Sequence, residues 1–478
     1  MTTLGSGPSG ERETSPPGSL SVLETPEPAD RPIDELPAIE GDIIIEETQD
    51  GPVETVPARP TMVERALVVV TVFVLIHGLP MDWLRTREGF LDQDGNLKMV
   101  AAQLALMALG IARVAGWFNW VIRALKLDLT LIGLAMLALL STLWSADPFE
   151  TMKQAIILLV VTCYGTYLVL RFTLPEALEL IARVYAISGV VNLAFIFALP
   201  QYGLDADGLW DGVFFQKNAL GFSSLLAVPI LLVVGRSGPS WRHLYYLCLP
   251  IQVTLLIGSQ SKTMLVATIG SCLLLVVYRM FRGRTTLRGA AIVALSVISL
   301  TTVAIATANI ELLADWLDKD ITLTGRIPLW QGLIPIAQGQ PFLGYGYKAT
   351  FGGYFSPVHE VWVSEGWEPQ HAHNAILQTW LELGMVGVAL VLFGFARATG
   401  RALTAVASTS GTVMLWPLVY ISSVLLISIT ESGIIHSQTG WMLFVVAALS
   451  VALRTRQLAF QRTLFNPAGR LSNDPVEA

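Results

Sequence analysis

From residue 61 to residue 453 the chain is a succession of apolar runs separated, with one exception, by short polar connections. An α-helix needs about twenty apolar residues to cross roughly 30 Å of hydrocarbon. Inside hydrocarbon, backbone N–H and C=O groups find no water, so each must be satisfied within the protein, and helices do this segment by segment. About twelve runs approach or reach that length, near residues 65–79, 99–115, 127–144, 152–170, 178–199, 218–234, 244–258, 263–281, 290–308, 383–395, 413–430 and 439–453. The expected fold is therefore an all-α polytopic membrane protein. Composition agrees: 53% of residues are hydrophobic and 14% charged, a balance that excludes an ordinary soluble enzyme.

The net charge of -7 is misleading. Residues 1–60 hold roughly thirteen acids against about three arginines, so this tail is strongly acidic and the remainder slightly basic. It is rich in Pro, Gly, Ser and Glu and lacks the apolar surface needed to offset the entropy of ordering, which predicts a disordered segment. With no basic region and apolar core at its start, the first span is expected to serve as the insertion signal. Cys163, Cys248 and Cys272 all lie in apolar stretches without metal-ligand spacing, which argues against disulfides.

Lys and Arg gather in alternate connections, such as Arg123 with Lys126, Arg236 with Arg242, Arg279 to Arg288, and Arg454 with Arg456. These connections are predicted to face the cytoplasm, as are both termini. The segments then divide into an acidic tail (1–60), spans one to nine (61–308), a large periplasmic loop (309–372), spans ten to twelve (373–453) and a C-terminal tail (454–478). The long loop carries too many aromatic residues for a linker, including Trp316, Trp330, Tyr345, Tyr347, Trp362 and Trp367. Helical apolar spacing over 309–320 predicts a small folded cap. Trp144 and Trp441, at predicted span ends, are read as part of an interfacial belt.

Four polar clusters fall on the predicted outer face. They are Trp210 to Asn218, with Lys217; Ser259 to Thr263, with Ser261 and Lys262; Leu323 to Trp330, with Arg326, followed by Pro341 to Gly346, with Tyr345; and His371-Ala372-His373-Asn374. Lys217, Lys262 and Arg326 converging at one interface would form an anion trap suited to a phosphate or diphosphate head on a lipid. Ser259, Ser261 and the helix start beside them add neutral donors. Blander roles stand beside these: either lysine alone serves equally well as a snorkelling anchor, and Trp330 suits cap packing as well as sugar stacking. The charges within spans, Lys153, Arg183 and Glu431, lie near predicted ends and are read as snorkelling; His436, near another outer end, is a weak candidate. An imidazole among cations stays neutral and can accept a hydroxyl proton, a role that fits His373.

In this order the clusters resemble the Wzy and O-antigen-ligase superfamily, most closely its exopolysaccharide polymerases. Trp210 to Gly221, Ser259 to Thr263, Thr324 to Trp330 with Gly344-Tyr345-Gly346, and His373-Asn374 with Leu377, Glu382, Gly384 and Gly387 carry the likeness. The resemblance implies a metal-independent, inverting glycosyltransferase of the GT-C class, without cofactor, whose donor is a glycan on undecaprenyl diphosphate. It implies a general-base or acceptor-orienting role for His373 and diphosphate binding by Arg326 and Lys262. Lys262 stands where many relatives have arginine, keeping the charge but losing the planar fork. Asn374, Trp330 and Tyr345 are expected to support the site.

Three activities follow as expectations. The first is polymerisation of lipid-linked repeat units at the periplasmic face of a bacterial inner membrane. The second is ligation of finished polymer to lipid A core or protein, and the third, of a different class, is transport of the lipid-linked oligosaccharide. Expected partners are the lipid-linked glycan, the bilayer and other assembly proteins such as a chain-length regulator; no nucleic acid is expected.

Overall fold

A computed structural model describes residues 60–77, 105, 118–214, 216–236, 242–280, 326–351, 356–365, 369–408, 411–432 and 434–465. The acidic tail, nearly all of the run at 99–115, the run at 290–308, the stretch 309–320 with Trp316, Thr324 and Trp367 lie outside the described residues.

The elements are α1 (Met62–His77), α2 (Phe118–Leu125), α3 (Leu129–Leu140), α4 (Pro148–Arg171), α5 (Leu174–Ala198), the short α6 (Pro200–Gly203), α7 (Lys217–Arg236), α8 (Arg242–Gly258), α9 (Lys262–Met280), α10 (Arg326–Gly339), α11 (His359–Glu365), α12 (Ala375–Ala407), α13 (Trp416–Ile427) and α14 (Gln438–Phe465). Every predicted run that lies within the described residues falls on a helix, and no β-strand forms among them. Six helices are long and apolar enough to cross a membrane: α4, α5, α7, α9, α12 and Gln438–Leu458 of α14. The stretches Leu129–Leu143, Tyr245–Gly258 and Thr412–Ile427 are apolar but shorter. The chain is thus a multi-pass membrane protein, all-helical over its described residues, with six full-length spans and three shorter apolar stretches among them.

Local chemistry sets the helix ends. Asp147 Oδ1 accepts the Glu150 N–H at 3.0 Å and Pro148 opens α4, satisfying one orphan donor at a position where proline costs nothing. Glu176 takes the Thr173 N–H at the start of α5, half of a capping box. At the end of the bundle where α4 finishes, Arg171 grips Glu64 of α1 in a fork, Nε to Oε1 at 2.6 Å and Nη2 to Oε2 at 2.9 Å. Arg65 joins Glu176 at 2.7 Å. Three helices are tied together there by charge-assisted bonds.

The core runs between these helices, with Trp416, Trp441, Tyr164 and Tyr185 fully enclosed. Trp441 was expected in an interfacial belt but is only 1% exposed. Its indole N–H reaches Thr162 Oγ1 at 2.7 Å inside the bundle, which satisfies the one polar atom that burial would otherwise penalise. A second, smaller core joins the cap to the membrane helices: Leu329, Leu333 and Ala337 of α10 and Val358, Val361 and Trp362 on and beside α11 pack against Leu377 and Leu381 of α12.

The decisive feature is a break in α12. Gly384 has φ +65° inside an otherwise helical run, so the i to i−4 bonding is interrupted and backbone groups on both sides need new partners. The segment Pro341 to Gly346 supplies them. Tyr345 N–H and Gly346 N–H donate to the carbonyls of Leu381 and Glu382 at 2.8 and 3.0 Å. In return, Met385 N–H and Val386 N–H donate to the carbonyls of Pro341 and Phe342 at 2.9 and 3.3 Å. Loop and broken helix are stapled in register, and Ala146 N–H donating to the Tyr345 carbonyl at 2.8 Å extends the staple to the start of α4.

A Cβ on Gly384 would come within 2.0 Å of the Phe342 carbonyl oxygen, a backbone atom that cannot swing aside. Gly384→Ala is therefore expected to destabilise the protein by about 3 kcal/mol or more, read as a lowered melting temperature in detergent. Gly400→Ala, in the same helix with nothing near its added methyl, is expected to leave melting unchanged.

Candidate active site

Helix α12 begins at Asn374, whose Oδ1 accepts the N–H groups of Ile376 and Leu377 at 3.0 and 2.9 Å. This N-cap fixes where the preceding turn lies. His373 sits in that turn with φ +50°, an uncommon conformation for a non-glycine residue. The turn is pinned from two sides: Trp330 Nε1–H donates to the Ala372 carbonyl at 2.8 Å, and Ala372 N–H donates to Gln378 Oε1 at 2.6 Å. Trp330 thus packs in the cap and holds the imidazole turn.

Around this turn four charged or titratable side chains meet. Arg326, the first residue of α10, places Nη2 3.4 Å from Glu431 Oε1. His373 Nδ1 lies 3.8 Å from Glu431 Oε2, and the rings of His371 and His373 are 4.0 Å apart. Glu431, which sequence assigned to snorkelling, is instead only 14% exposed and joins the cap to the end of α13. Burial raises its pKa, against the opposing pull of Arg326. Burial depresses both imidazoles: His371 to about 4, aided by His436 and Arg326, and His373 to about 3, aided by His371 and Arg326. Both are neutral at pH 7, with a ring lone pair available to accept a proton.

The cluster opens on a cavity of about 480 Å³ at one end of the bundle. Its wall carries Glu150 of α4, Asn218 and Phe222 of α7, Met264 of α9, His371, Gln378, Glu382 and Glu431. The first two sequence clusters are brought together here. Ser261 Oγ–H donates to Asn218 Oδ1 at 2.9 Å, and Ser259 Oγ accepts the Ser261 N–H at 3.3 Å. Trp210 lies flat on Gly258, where a Cβ would meet its ring at 2.1 Å. Lys217 and Lys262 are the first residues of α7 and α9, whose opening turns reach the cavity through Asn218 and Met264. None of Lys217, Lys262 and Arg326 is part of the wall among the described residues; Arg326 stands behind it at Glu431, and the two lysines at neighbouring helix starts. Tyr345 braces the cap instead, its hydroxyl donating to the Ile336 carbonyl at 2.9 Å.

Two further groups that the sequence marked only weakly also meet at the cavity. Glu382, 2% exposed, sits two residues before the α12 break and receives the Gln378 Nε2–H at 2.6 Å. His436 Nε2 faces it at 3.2 Å. Glu382 was noted only as part of a motif; an acid in an apolar run two residues before a glycine pair is the signal that pointed to it. His371, His373 and Glu431 also present ligand atoms within 4.8 Å of one another, a grouping able to hold a divalent ion, although the Arg326 guanidinium competes for the same carboxylate.

An interrupted helix, with neutral imidazoles and a guanidinium gathered at one end of the bundle, is thus built into a multi-pass membrane protein. Residues 247–392 match the family model described as O-antigen ligase, Wzy_C. The chain is also similar to the exopolysaccharide production protein ExoQ of Rhizobium meliloti (strain 1021), with 27% identity over 287 residues. That alignment covers 55% of this chain and 62% of the relative, less than two thirds of its length. Both findings agree with the motifs, and the likeness to the O-antigen-ligase and Wzy-type superfamily stands on them.

The imidazole shifts set a pH dependence. Because His371 and His373 are depressed below the ordinary value of 6.5, the unfolded chain binds more protons than the folded one as pH falls through 6.5. Stability is then lost progressively toward pH 4. Melting temperature in detergent is expected to fall over that window, and a His371→Asn, His373→Asn double variant is expected to flatten the decline.

Proposed function

We propose that this protein polymerises oligosaccharide units carried on undecaprenyl diphosphate into an exopolysaccharide or O-antigen, at the periplasmic face of the bacterial inner membrane. The observation that carries it is the meeting of a neutral imidazole, His373, with Arg326 at Glu431, a residue of the cavity wall, on the segment that resembles the superfamily. The acceptor hydroxyl loses its proton to the neutral imidazole of His373 as its oxygen attacks the anomeric carbon. The bond from that carbon to the diphosphate oxygen breaks, and its electron pair leaves with the diphosphate. Arg326, with Lys262 and Lys217 at the adjoining helix starts, balances the developing charge. Attack opposite the leaving group inverts the anomeric centre, and no metal or cofactor is required for any of these steps. Ser259, Ser261 and Asn374 hold the surrounding turns. A chain-length regulator is the natural protein partner, and both termini are cytoplasmic.

A second activity of the same chemistry, transfer of finished polymer to lipid A core or a protein, is favoured by the O-antigen ligase description of residues 247–392. The likeness to an exopolysaccharide production protein favours polymerisation. Incubating the purified chain with a defined undecaprenyl-diphosphate oligosaccharide separates them: a ladder on a gel means polymerase, transfer only to an added acceptor means ligase, and no covalent change refutes both. His373→Ala is expected to lower product formation by about 100-fold or more while the protein stays folded. Arg326→Lys is expected to weaken use of the donor more than of the acceptor; equal losses would count against diphosphate binding there.

A further inference from the structure

His436 forms a second imidazole–carboxylate pair on the cavity wall, and it is built into position more thoroughly than His373. Its Nε2 lies 3.2 Å from Glu382 Oε2. Glu382 is buried, and its other oxygen receives Gln378 Nε2–H at 2.6 Å. Gln378 in turn accepts the Ala372 N–H at 2.6 Å. Hydrogen bonds therefore run from the turn that carries His373 through Gln378 to Glu382, and a 3.2 Å ion-pair contact continues the line to His436. The backbone of His436 is held separately: Lys348 Nζ donates to its carbonyl at 3.2 Å, and Tyr347 O–H donates to the Ile435 carbonyl at 2.8 Å.

A buried carboxylate beside Nε2 holds that edge of the ring toward itself and turns the other nitrogen away from it. His436, Gln378, Asn218 and Glu431 all face the same cavity. The wall's one ammonium group among the described residues, Lys348, already donates to Gln154 Oε1 and the His436 carbonyl, both at 3.2 Å; the remaining amides, carboxylates and imidazole alongside Phe222 offer donors and acceptors beside an apolar face, which suits the hydroxyls and ring face of an uncharged sugar better than a diphosphate. We propose that His436, oriented by Glu382, binds a hydroxyl of the acceptor glycan and so presents the attacking hydroxyl to His373. This assigns the cavity as the acceptor subsite, and it rests on the glycosyl-transfer reading above. The role is one of binding and positioning; the bond-making step is unchanged.

The test uses the full chain in lipid nanodiscs. Lipid-linked oligosaccharide extracted from cells lacking this chain serves as donor at a fixed level, and free oligosaccharide released from it by mild acid is the varied acceptor. His436→Ala and the milder His436→Gln are expected to raise the KM for free oligosaccharide by about tenfold or more, with kcat within about threefold and donor KM unchanged. Glu382→Gln, which keeps the shape of the buried side chain, is expected to raise the same KM by a smaller factor. If His436→Ala does not fold, His436→Gln and Glu382→Gln carry the test. Unchanged acceptor KM in folded variants, or a loss confined to kcat or donor KM, overturns the subsite while leaving the transfer reaction intact. A wild-type chain that extends neither substrate overturns the transfer reaction, and the subsite with it.

Discussion

The break at Gly384 is the constraint on which the rest of the structure depends. A helix interrupted within an apolar bundle exposes carbonyl and amide groups that hydrocarbon cannot satisfy, and each unpaired group would cost on the order of 1–3 kcal/mol or more. Here the four groups around the break are taken up by Pro341 to Gly346. The loop and the helix consequently have one register. Once that register is set, Glu382 faces the cavity, Gln378 is placed to hold Ala372, and the turn bearing His373 is aligned with the cap that brings Arg326. A packing necessity of the membrane is thereby turned into precision at a site several residues away.

The electrostatics follow from that placement. Arg326, two imidazoles and Glu431 share a partly buried corner, where low polarity strengthens every charge. Burial and the neighbouring guanidinium keep the imidazoles unprotonated, and Glu431 keeps the guanidinium in position. An anion arriving at Arg326 competes with Glu431 for the same N–H groups, so binding of a diphosphate would free a carboxylate next to His373. The second pair, Glu382 with His436, lies across the same cavity and is tied to the first through Gln378. Two imidazoles are held in one frame without being in contact through charge alone.

Much of this was legible in the sequence, and the remainder was hidden for identifiable reasons. Apolar runs marked the helices because length and hydropathy act locally, but the run at 383–395 caught only the middle of α12, whose first turns after the Asn374 cap mix polar residues such as Gln378 and Glu382 with apolar ones. The pairing of Ser261 with Asn218 could be anticipated only as two clusters on one face, since their separation of 43 positions carries no local signal. Trp441 was misplaced because an indole near a span end looks the same whether it meets headgroups or Thr162. Glu431 and His436 were undervalued because snorkelling is the cheaper account of a charge at a helix end, until a partner such as Arg326 or Glu382 is seen. Lys217 and Lys262 share a helix-start position but not the cavity wall, a distinction that spacing cannot make.

Hydrogen exchange resolved over residues 341–348 in the membrane-reconstituted protein tests the central claim most directly. If the loop completes the broken helix, the Tyr345 and Gly346 amides exchange as slowly as those of the neighbouring turns of α12, and Gly384→Ala accelerates all of them together. Exchange of these two amides at the rate of an open loop would contradict the account, because nothing else would then hold Glu382 and the His373 turn in register.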